Sequence, residues 1–179
     1  MIFQEVLDQT IKKLKSQAAN GVTMINVCLG GYSIIAAMNN SLHTSVLCIF
    51  LAALADCLDG KVARKFNCGS EFGRQLDSLG DILSFGAAPA LVIYQGVAAD
   101  FEAPAAFFFI FYIVCGVFRL ARFNINKNSD YFTGLPITAA GCLLALSYLT
   151  APGMPGMYFL FLMIVLSLFM VSPIKLKKM

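Results

Sequence analysis

The sequence predicts an all-helical integral membrane protein in which six transmembrane helices follow a short N-terminal amphipathic helix, all within one domain over residues 1–179. Three observations support this fold class. The chain is 59% apolar and 13% charged, whereas soluble domains are about 45–50% apolar and about 25% charged. Long stretches contain no charged residue. All 13 Lys and Arg residues occur at one set of the connections between the predicted helices.

The predicted N-terminal helix occupies residues 1–17 and is interfacial, because its apolar residues recur at helical spacing between charged ones. These apolar positions are Ile2, Phe3, Val6, Leu7, Ile11 and Leu14. A cleaved signal peptide is the alternative, since basic residues precede an apolar run. Asn20, Thr23 and Asn26 interrupt that run and no small-residue cleavage site follows, so we expect the segment to be retained.

The transmembrane helices are predicted from four stretches without Asp, Glu, Lys or Arg. These stretches are Ser16–Ala55, Ile82–Ala99, Ala103–Phe118 and Tyr131–Ile174. The first and last are each long enough for two spans of about 20 residues. Turn-forming residues divide them at 39–41 and 151–156. We therefore predict helices over residues 20–38, 43–65, 72–97, 103–124, 135–150 and 156–172.

The charge distribution predicts the orientation of these helices. The basic residues all fall on one side, at Lys12, Lys13, Lys15, Lys61, Arg64, Lys65, Arg74, Arg119, Arg122, Lys127, Lys175, Lys177 and Lys178. The opposite side carries Asp100 and Glu102. Because cytoplasmic connections are enriched in Lys and Arg, we expect both termini on the cytoplasmic side of the cell (inner or plasma) membrane.

Composition also excludes several kinds of binding. A net charge of +3, with no basic run interleaved with aromatic residues, argues against a nucleic-acid partner. The six cysteines lack a CxxC pair and mostly lie in apolar runs, so neither a zinc site nor a disulfide framework is expected.

Four carboxylates near membrane depth are the most informative feature of the sequence. They are Asp56 and Asp59 in the second predicted helix, and Asp77 and Asp81 in the third. An acidic residue at the centre of a membrane helix costs roughly 2.5–3.5 kcal/mol, so four together require compensation, for which divalent cations are suited. At about 100° per residue, each pair lies on one helix face. The two faces can meet across a short turn and form a cluster of hard oxygen ligands for Mg²⁺ or Mn²⁺.

Small residues and one arginine accompany these carboxylates. Gly60, Ala63 and Gly73 would let a diphosphate approach the helix backbone, and Arg64 would complement its charge. Two other interpretations compete with this one. Each aspartate taken alone is often a helix cap, but capping does not explain the one-faced spacing. Intramembrane carboxylates also mark the ion pathways of cation transporters, but those acids would be spread through the bilayer depth.

The spacing of these residues resembles the signature of the CDP-alcohol phosphotransferase family. The matching pattern is Asp56-x2-Asp59-Gly60-x2-Ala63-Arg64-x8-Gly73-x3-Asp77-x3-Asp81. The resemblance covers nearly the whole chain. It implies a six-helix architecture, one or two divalent ions (Mg²⁺ or Mn²⁺) at the carboxylates, and a homodimer in membrane lipids.

Further segments resemble the bacterial and archaeal phosphatidylserine synthases within that family. They are Asp81–Pro89, Arg119–Asn124 and Phe132–Pro136, together with Asn20, Thr23 and Asn26 in the first helix. Simpler alternatives exist: Pro89 could only kink its helix, and Gly134 with Pro136 could only mark the start of the fifth helix. Arg119 and Arg122 could be interfacial arginines. Because they lie three residues apart on one helix face, we favour an anion clamp for the serine carboxylate.

The resemblance implies transfer of the phosphatidyl group of CDP-diacylglycerol to the hydroxyl of L-serine, with release of CMP. The implied metal ligands are Asp56, Asp59, Asp77 and Asp81, and Asp81 is also the candidate catalytic base. The implied donor-binding residues are Asn20, Thr23, Asp56, Asp59, Gly60, Ala63, Arg64, Gly73 and Asp77, and the acceptor-binding residues are Ser84, Arg119, Arg122 and Asn124. Family members that use glycerol 3-phosphate or an inositol phosphate are the nearest alternative. In the glycerol-phosphate branch a lysine tends to follow the last aspartate, where this chain has Ile82.

Overall fold

A computed structural model describes residues 2–66, 70–98, 101–125, 131–150, 153–173 and 175–177. The α-helices within these ranges are α1 (Ile2–Met38), α2 (Leu42–Phe66), α3 (Glu71–Asp81), α4 (Ala88–Ile93), α5 (Glu102–Ile125), α6 (Ile137–Thr150) and α7 (Gly156–Val171). π-Helical turns over Ile82–Ala87 and Tyr94–Ala98 follow α3 and α4 directly. Residues 71–98 therefore run as one continuous rod, called the third rod below. The described residues thus form six helical rods, of which the last five lie close to the predicted positions.

Four of these rods are long and apolar enough to cross a membrane. They contain the candidate spans Asn20–Met38, Leu42–Lys61, Glu71–Val97 and Ala103–Ile125. The remaining two, α6 and α7, have 14 and 16 residues, fewer than the roughly 20 that a full span requires. The prediction of an all-helical membrane protein agrees with this architecture, while the count of six spans stays a prediction.

The first rod differs from its prediction. We expected an interfacial helix over 1–17 separate from a first span over 20–38, but α1 runs without a break from Ile2 to Met38. The polar residues at 20, 23 and 26 interrupt the apolar run without ending the helix, because their side chains face neighbouring helices. The side chains of residues 1–19 lie outside the described part of the chain, so the amphipathic character of this segment stays a prediction.

The turn between α1 and α2 forms where the sequence predicts it. Asn40 adopts a positive φ of 57°, a conformation that asparagine tolerates better than most residues. The main-chain N–H of Asn40 donates to the carbonyl of Ala37, and that of Ser41 donates to the carbonyl of Ala36, both at 2.9 Å. This pair of bonds satisfies the last carbonyls of α1 and reverses the chain, so that α2 packs antiparallel to α1.

The first π-turn follows immediately after Asp81, and Pro89 explains part of its geometry. Proline has no N–H, so residue 89 cannot bond the carbonyl of Phe85 four residues earlier. That carbonyl instead accepts a hydrogen bond from the hydroxyl of Tyr112 on α5, at 3.2 Å, within a fully buried contact. Pro89 therefore does not end the rod. In place of a simple kink, a π-helical turn precedes Pro89, and this turn is linked to α5 by the Tyr112–Phe85 hydrogen bond. Such turns are frequent at functional sites.

The all-helical prediction misses one small element. The strands β1 (Tyr131–Thr133) and β2 (Lys175–Lys177) pair antiparallel, with Phe132 opposite Leu176. The pairing joins the segment before α6 to the chain after α7. Three-residue strands are too short to leave an alternating pattern in the sequence, so this pairing could not be read from it.

Gly134 determines the path of the main chain between β1 and α6. It has a φ of +79°, and a Cβ at this position would stand 3.2 Å from the carbonyl oxygen of Phe169 and closer still to that of Met170. The next residue, Leu135, donates its N–H to the Phe169 carbonyl at 3.0 Å. The Gly134-Leu135-Pro136 segment therefore lies directly on the last turn of α7, which is a role that a side chain at residue 134 would prevent.

Candidate active site

Three carboxylates meet at the crossing of α2 and α3. One carboxylate oxygen each from Asp56, Asp59 and Asp77 lies within 4.8 Å of the other two. Asp56 and Asp59 share one face of α2 because they are three residues apart, and the short connection to α3 brings Asp77 opposite them. The spacing predicts a cluster of four carboxylates, of which these three meet here, and we call them the carboxylate cluster.

The cluster fits a divalent cation. Asp59 is 6% exposed, and its Oδ2 has no hydrogen-bond partner among the described residues. The Oδ1 of Asp77 is likewise buried and without a partner in the described part of the chain. Buried anionic oxygens without compensation are costly, and three carboxylates form the hard donor set that Mg²⁺ and Mn²⁺ prefer.

Asp81 lies one helical turn beyond Asp77 and outside the three-residue cluster. It is 7% exposed, and its Oδ1 has no hydrogen-bond partner within the described ranges. Arg119 on α5 is the basic residue whose charge acts on it. The structure therefore places three of the four predicted metal ligands together, and the fourth carboxylate lies one turn farther along α3, where the charge of Arg119 acts on it.

Helix α1 contributes two of the predicted donor-binding residues to this region. Thr23 is 5% exposed and its hydroxyl hydrogen bonds to the carboxylate of Asp59. Asn20 lies against Gly73 of α3, because a Cβ on that glycine would stand 2.7 Å from the Asn20 Oδ1. Gly73 thus makes room for the Asn20 side chain, where we had expected it to make room for a diphosphate.

The other small residues of the motif behave differently from Gly73. A Cβ on Gly60 would meet nothing within 4 Å, so the α2 backbone beside Asp59 has open space next to it, and its predicted contact with a diphosphate stays a prediction. Ala63 and Arg64 fall on the last turns of α2. Their side chains lie outside the described residues, so their roles in binding the donor stay predictions.

Thr138 is a site residue that the sequence reasoning missed. Its hydroxyl, at the start of α6, donates a hydrogen bond of 3.3 Å to Oδ2 of Asp56, which is 82 residues away in the chain. The residue follows the Phe132–Pro136 segment, which resembles the phosphatidylserine synthases, but a lone threonine in an apolar helix carries no spacing signal. Only the packing of α6 against α2 brings the two side chains together.

The predicted two-arginine clamp divides into two separate roles. Arg119 is 7% exposed, its Nε has no hydrogen-bond partner in the described ranges, and its charge acts on Asp81. Arg122 instead donates to the main-chain carbonyls of Val171, at 3.0 Å, and Ser172, at 3.3 Å. The two guanidinium groups, about one turn apart on α5, therefore have different surroundings: Asp81 acts on the charge of Arg119, and Arg122 bonds to the end of α7.

The other two predicted acceptor-binding residues are engaged in helix packing. The Ser84 hydroxyl is fully buried and donates to the main-chain carbonyl of Asn26 at 3.1 Å. Asn124 donates from Nδ2 to the Ser78 hydroxyl at 3.0 Å and so ties α5 to α3. Asn26 is itself fully buried, with both side-chain polar atoms unpartnered among the described residues.

Comparison with known proteins now places this geometry in a family. The family model described as CDP-alcohol phosphatidyltransferase matches residues 16–171, which include all three carboxylates of the cluster and Asp81. The chain belongs to this family. Its members are transferases that generally use a divalent metal, which agrees with the arrangement of buried, uncompensated carboxylate oxygens described above.

Individual family members are similar over most of the chain. The archaetidylserine synthase of Methanothermobacter thermautotrophicus is 38% identical over 161 residues, covering 86% of this chain and 66% of the relative. The CDP-diacylglycerol–serine O-phosphatidyltransferase of Bacillus subtilis is 35% identical over 133 residues, covering 73% of this chain and 75% of the relative. The protein of that name from Methanocaldococcus jannaschii is 42% identical over 123 residues, covering 69% of this chain and 56% of the relative.

Proposed function

We propose that the protein is a phosphatidylserine synthase, which transfers the phosphatidyl group of CDP-diacylglycerol to L-serine and releases CMP. The observation that carries the proposal is the carboxylate cluster of Asp56, Asp59 and Asp77, with the buried Asp81 one helical turn beyond Asp77. The charge of the buried Arg119 acts on Asp81, so a metal-binding group, a base and a cation for a carboxylate belong to one region of the protein. The names of the relatives and their similarity over most of the chain support serine as the acceptor.

The donor side of the site is formed by α1, α2 and α3. Asp56, Asp59 and Asp77 would hold Mg²⁺ or Mn²⁺, which when bound screens the diphosphate charge and stabilises the departing phosphate. The open backbone beside Gly60 gives the diphosphate access to this point. Asn20, Thr23 and Arg64 would bind the cytidine nucleotide, and the acyl chains would remain in the lipid.

The acceptor side is formed by Asp81 and Arg119. The guanidinium of Arg119 would bind the serine carboxylate. This arginine is buried, and its Nε has no hydrogen-bond partner among the described residues. Asp81 would accept the proton of the serine hydroxyl as that oxygen attacks the phosphorus that carries the diacylglycerol. The new bond joins the serine oxygen to phosphorus, and the bond that breaks joins phosphorus to the bridging oxygen, which leaves with CMP.

The membrane position of the site suits both substrates. In the sequence, the four aspartates lie around one of the basic connections between the predicted helices, so we place the active site and both termini at the cytoplasmic face of the cell membrane. Serine then arrives from the cytosol, while the lipid donor presents its head group at the interface. We also expect a homodimer, on the basis of the family.

One assay tests the proposal directly. The purified protein is given CDP-diacylglycerol and, in separate reactions, serine, glycerol 3-phosphate or an inositol phosphate, with and without EDTA, while CMP and the lipid product are measured. We expect CMP release and phosphatidylserine only with serine, and none with EDTA. Release driven by another acceptor, or equally without any acceptor, would overturn the serine assignment. Full activity in EDTA would overturn the metal requirement.

A further inference from the structure

Two threonines, one on α1 and one on α6, each hydrogen bond to one aspartate of α2. Thr23 of α1 hydrogen bonds to Asp59, and Thr138 of α6 hydrogen bonds to Asp56 at 3.3 Å. The signature motif contains both aspartates but neither threonine. We propose that Thr138 is a positioning residue that orients the Asp56 carboxylate for divalent-cation binding, an inference that rests on the metal centre proposed above.

The need for such a residue follows from the exposure of Asp56. Its side chain is half-buried, unlike the buried Asp59, so it has room to adopt other rotamers. A hydroxyl that donates to Oδ2 favours the rotamer in which this bond is made. A carboxylate has about four lone-pair positions, so Asp56 can accept this bond and still bind a cation. Outer groups that orient metal ligands in this way commonly change metal affinity by about 10–100-fold.

The backbone around Thr138 packs closely against neighbouring helices, so the position of the Thr138 hydroxyl relative to Asp56 is fixed. The preceding Ile137 is fully buried, and its Cδ1 lies 2.7 Å from where a Cβ on Gly116 of α5 would stand. One turn later, Gly141 packs against the backbone of Phe85, since a Cβ there would lie 2.7 Å from the Phe85 carbonyl oxygen. Close contacts on both sides of residue 138 therefore fix the position of α6 relative to the π-turn and α5. The hydroxyl that reaches Asp56 is presented from a rigid element.

The test measures Mn²⁺ binding to the purified full-length protein in the absence of lipid and serine. Thr138→Val removes the hydroxyl with little change of shape, and Thr138→Ser retains it. Thr150→Val is the matched control, because Thr150 bonds only within α6, to the carbonyl oxygens of Leu146 and Ser147, among the described contacts. We expect Thr138→Val to raise the Kd for Mn²⁺ by about 10-fold or more. Thr138→Ser and Thr150→Val should stay within about threefold of the unmodified protein.

Activity provides a second readout of the same variants. In Thr138→Val the Mn²⁺ concentration for half-maximal activity should rise by a similar factor, while kcat at saturating Mn²⁺ falls much less. A merely structural role would lower thermal stability and leave the Mn²⁺ affinity of the folded fraction unchanged. Should the valine variant fail to fold, Thr138→Ala compared with Thr138→Ser provides the same contrast.

The outcomes separate this inference from the proposal of the metal centre. If Thr138→Val binds Mn²⁺ as tightly as the unmodified protein, and Asp77→Asn does not bind it, the positioning role of Thr138 is wrong and the metal centre stands. If the unmodified protein and Asp77→Asn bind Mn²⁺ equally or not at all, the metal centre itself is wrong.

Discussion

Arg122 and Val171 form a direct link between α5 and the end of α7, with the guanidinium Nη1 donating to the Val171 main-chain carbonyl at 3.0 Å. A second bond, from Nη2 to the Ser172 carbonyl, is 3.3 Å long. The last carbonyls of a helix lack partners within the helix and carry a partial negative charge. An arginine is well suited to satisfy two of them, so Arg122 stabilises the end of α7, and its predicted role in binding the acceptor stays a prediction.

The first prediction concerns this stabilising role. Arg122→Gln removes the cation and at least one bond to the α7 carbonyls, so we expect the free energy of unfolding to fall by about 1–3 kcal/mol. The KM for serine should change little. Thermal unfolding in detergent and steady-state kinetics check this. Arg74→Gln is a control of the same chemistry, because its ion pair with Glu71 is on the surface and is worth less than about 1 kcal/mol. A selective rise in the KM for serine in Arg122→Gln would restore the two-arginine clamp.

Arg119 should show the opposite pattern. Arg119→Gln removes the buried cation whose charge acts on Asp81, so we expect the KM for serine to rise by more than about 10-fold, because a charge-assisted contact to the serine carboxylate is lost. The KM for CDP-diacylglycerol should stay within about twofold. Kinetics with each substrate varied in turn make the distinction. Equal changes in both KM values would mean that Arg119 acts on the shape of the whole site and not on the acceptor.

Asp81→Asn tests the base. The amide has nearly the same shape as the carboxyl group, so the protein should remain folded and bind Mn²⁺ and cytidine nucleotide as before. An amide does not accept the serine proton, so CMP release should fall by at least about 100-fold. Binding measurements and the CMP assay together check this prediction. Turnover close to that of the unmodified protein would remove Asp81 from the role of base.

The two glycines Gly60 and Gly141 should respond differently to alanine. Gly60→Ala places a methyl group in open space within a helix, so stability should rise by up to about 1 kcal/mol. Activity should fall, because the methyl group occupies the approach of the diphosphate. Gly141→Ala would place a Cβ 2.7 Å from the Phe85 carbonyl, so it should destabilise the fold by about 1–3 kcal/mol. Thermal unfolding and CMP release measure both effects, and an unchanged activity in Gly60→Ala would contradict the donor position.

Much of the architecture and the carboxylate cluster could be predicted from local rules. Uncharged stretches and turn residues determine where helices begin and end, and the spacing of Asp56, Asp59 and Asp77 determines which helix faces carry carboxylates. These properties depend only on helix periodicity and on the cost of charge in a membrane. The short connection between the second and third rods then leaves few ways for the two acidic faces to meet.

The roles of residues on distant helices were decided by the tertiary structure. Arg119 and Arg122 look alike in the sequence, yet the charge of one acts on Asp81 and the other bonds to the end of α7. Thr138 has no sequence signal at all, and its bond to Asp56 exists only because small residues let α6 pack closely against the π-turn and α5. Helix periodicity thus assigned residues to faces from the sequence alone. The partner of each face depended on inter-helix packing, which involves contacts between residues far apart in the chain.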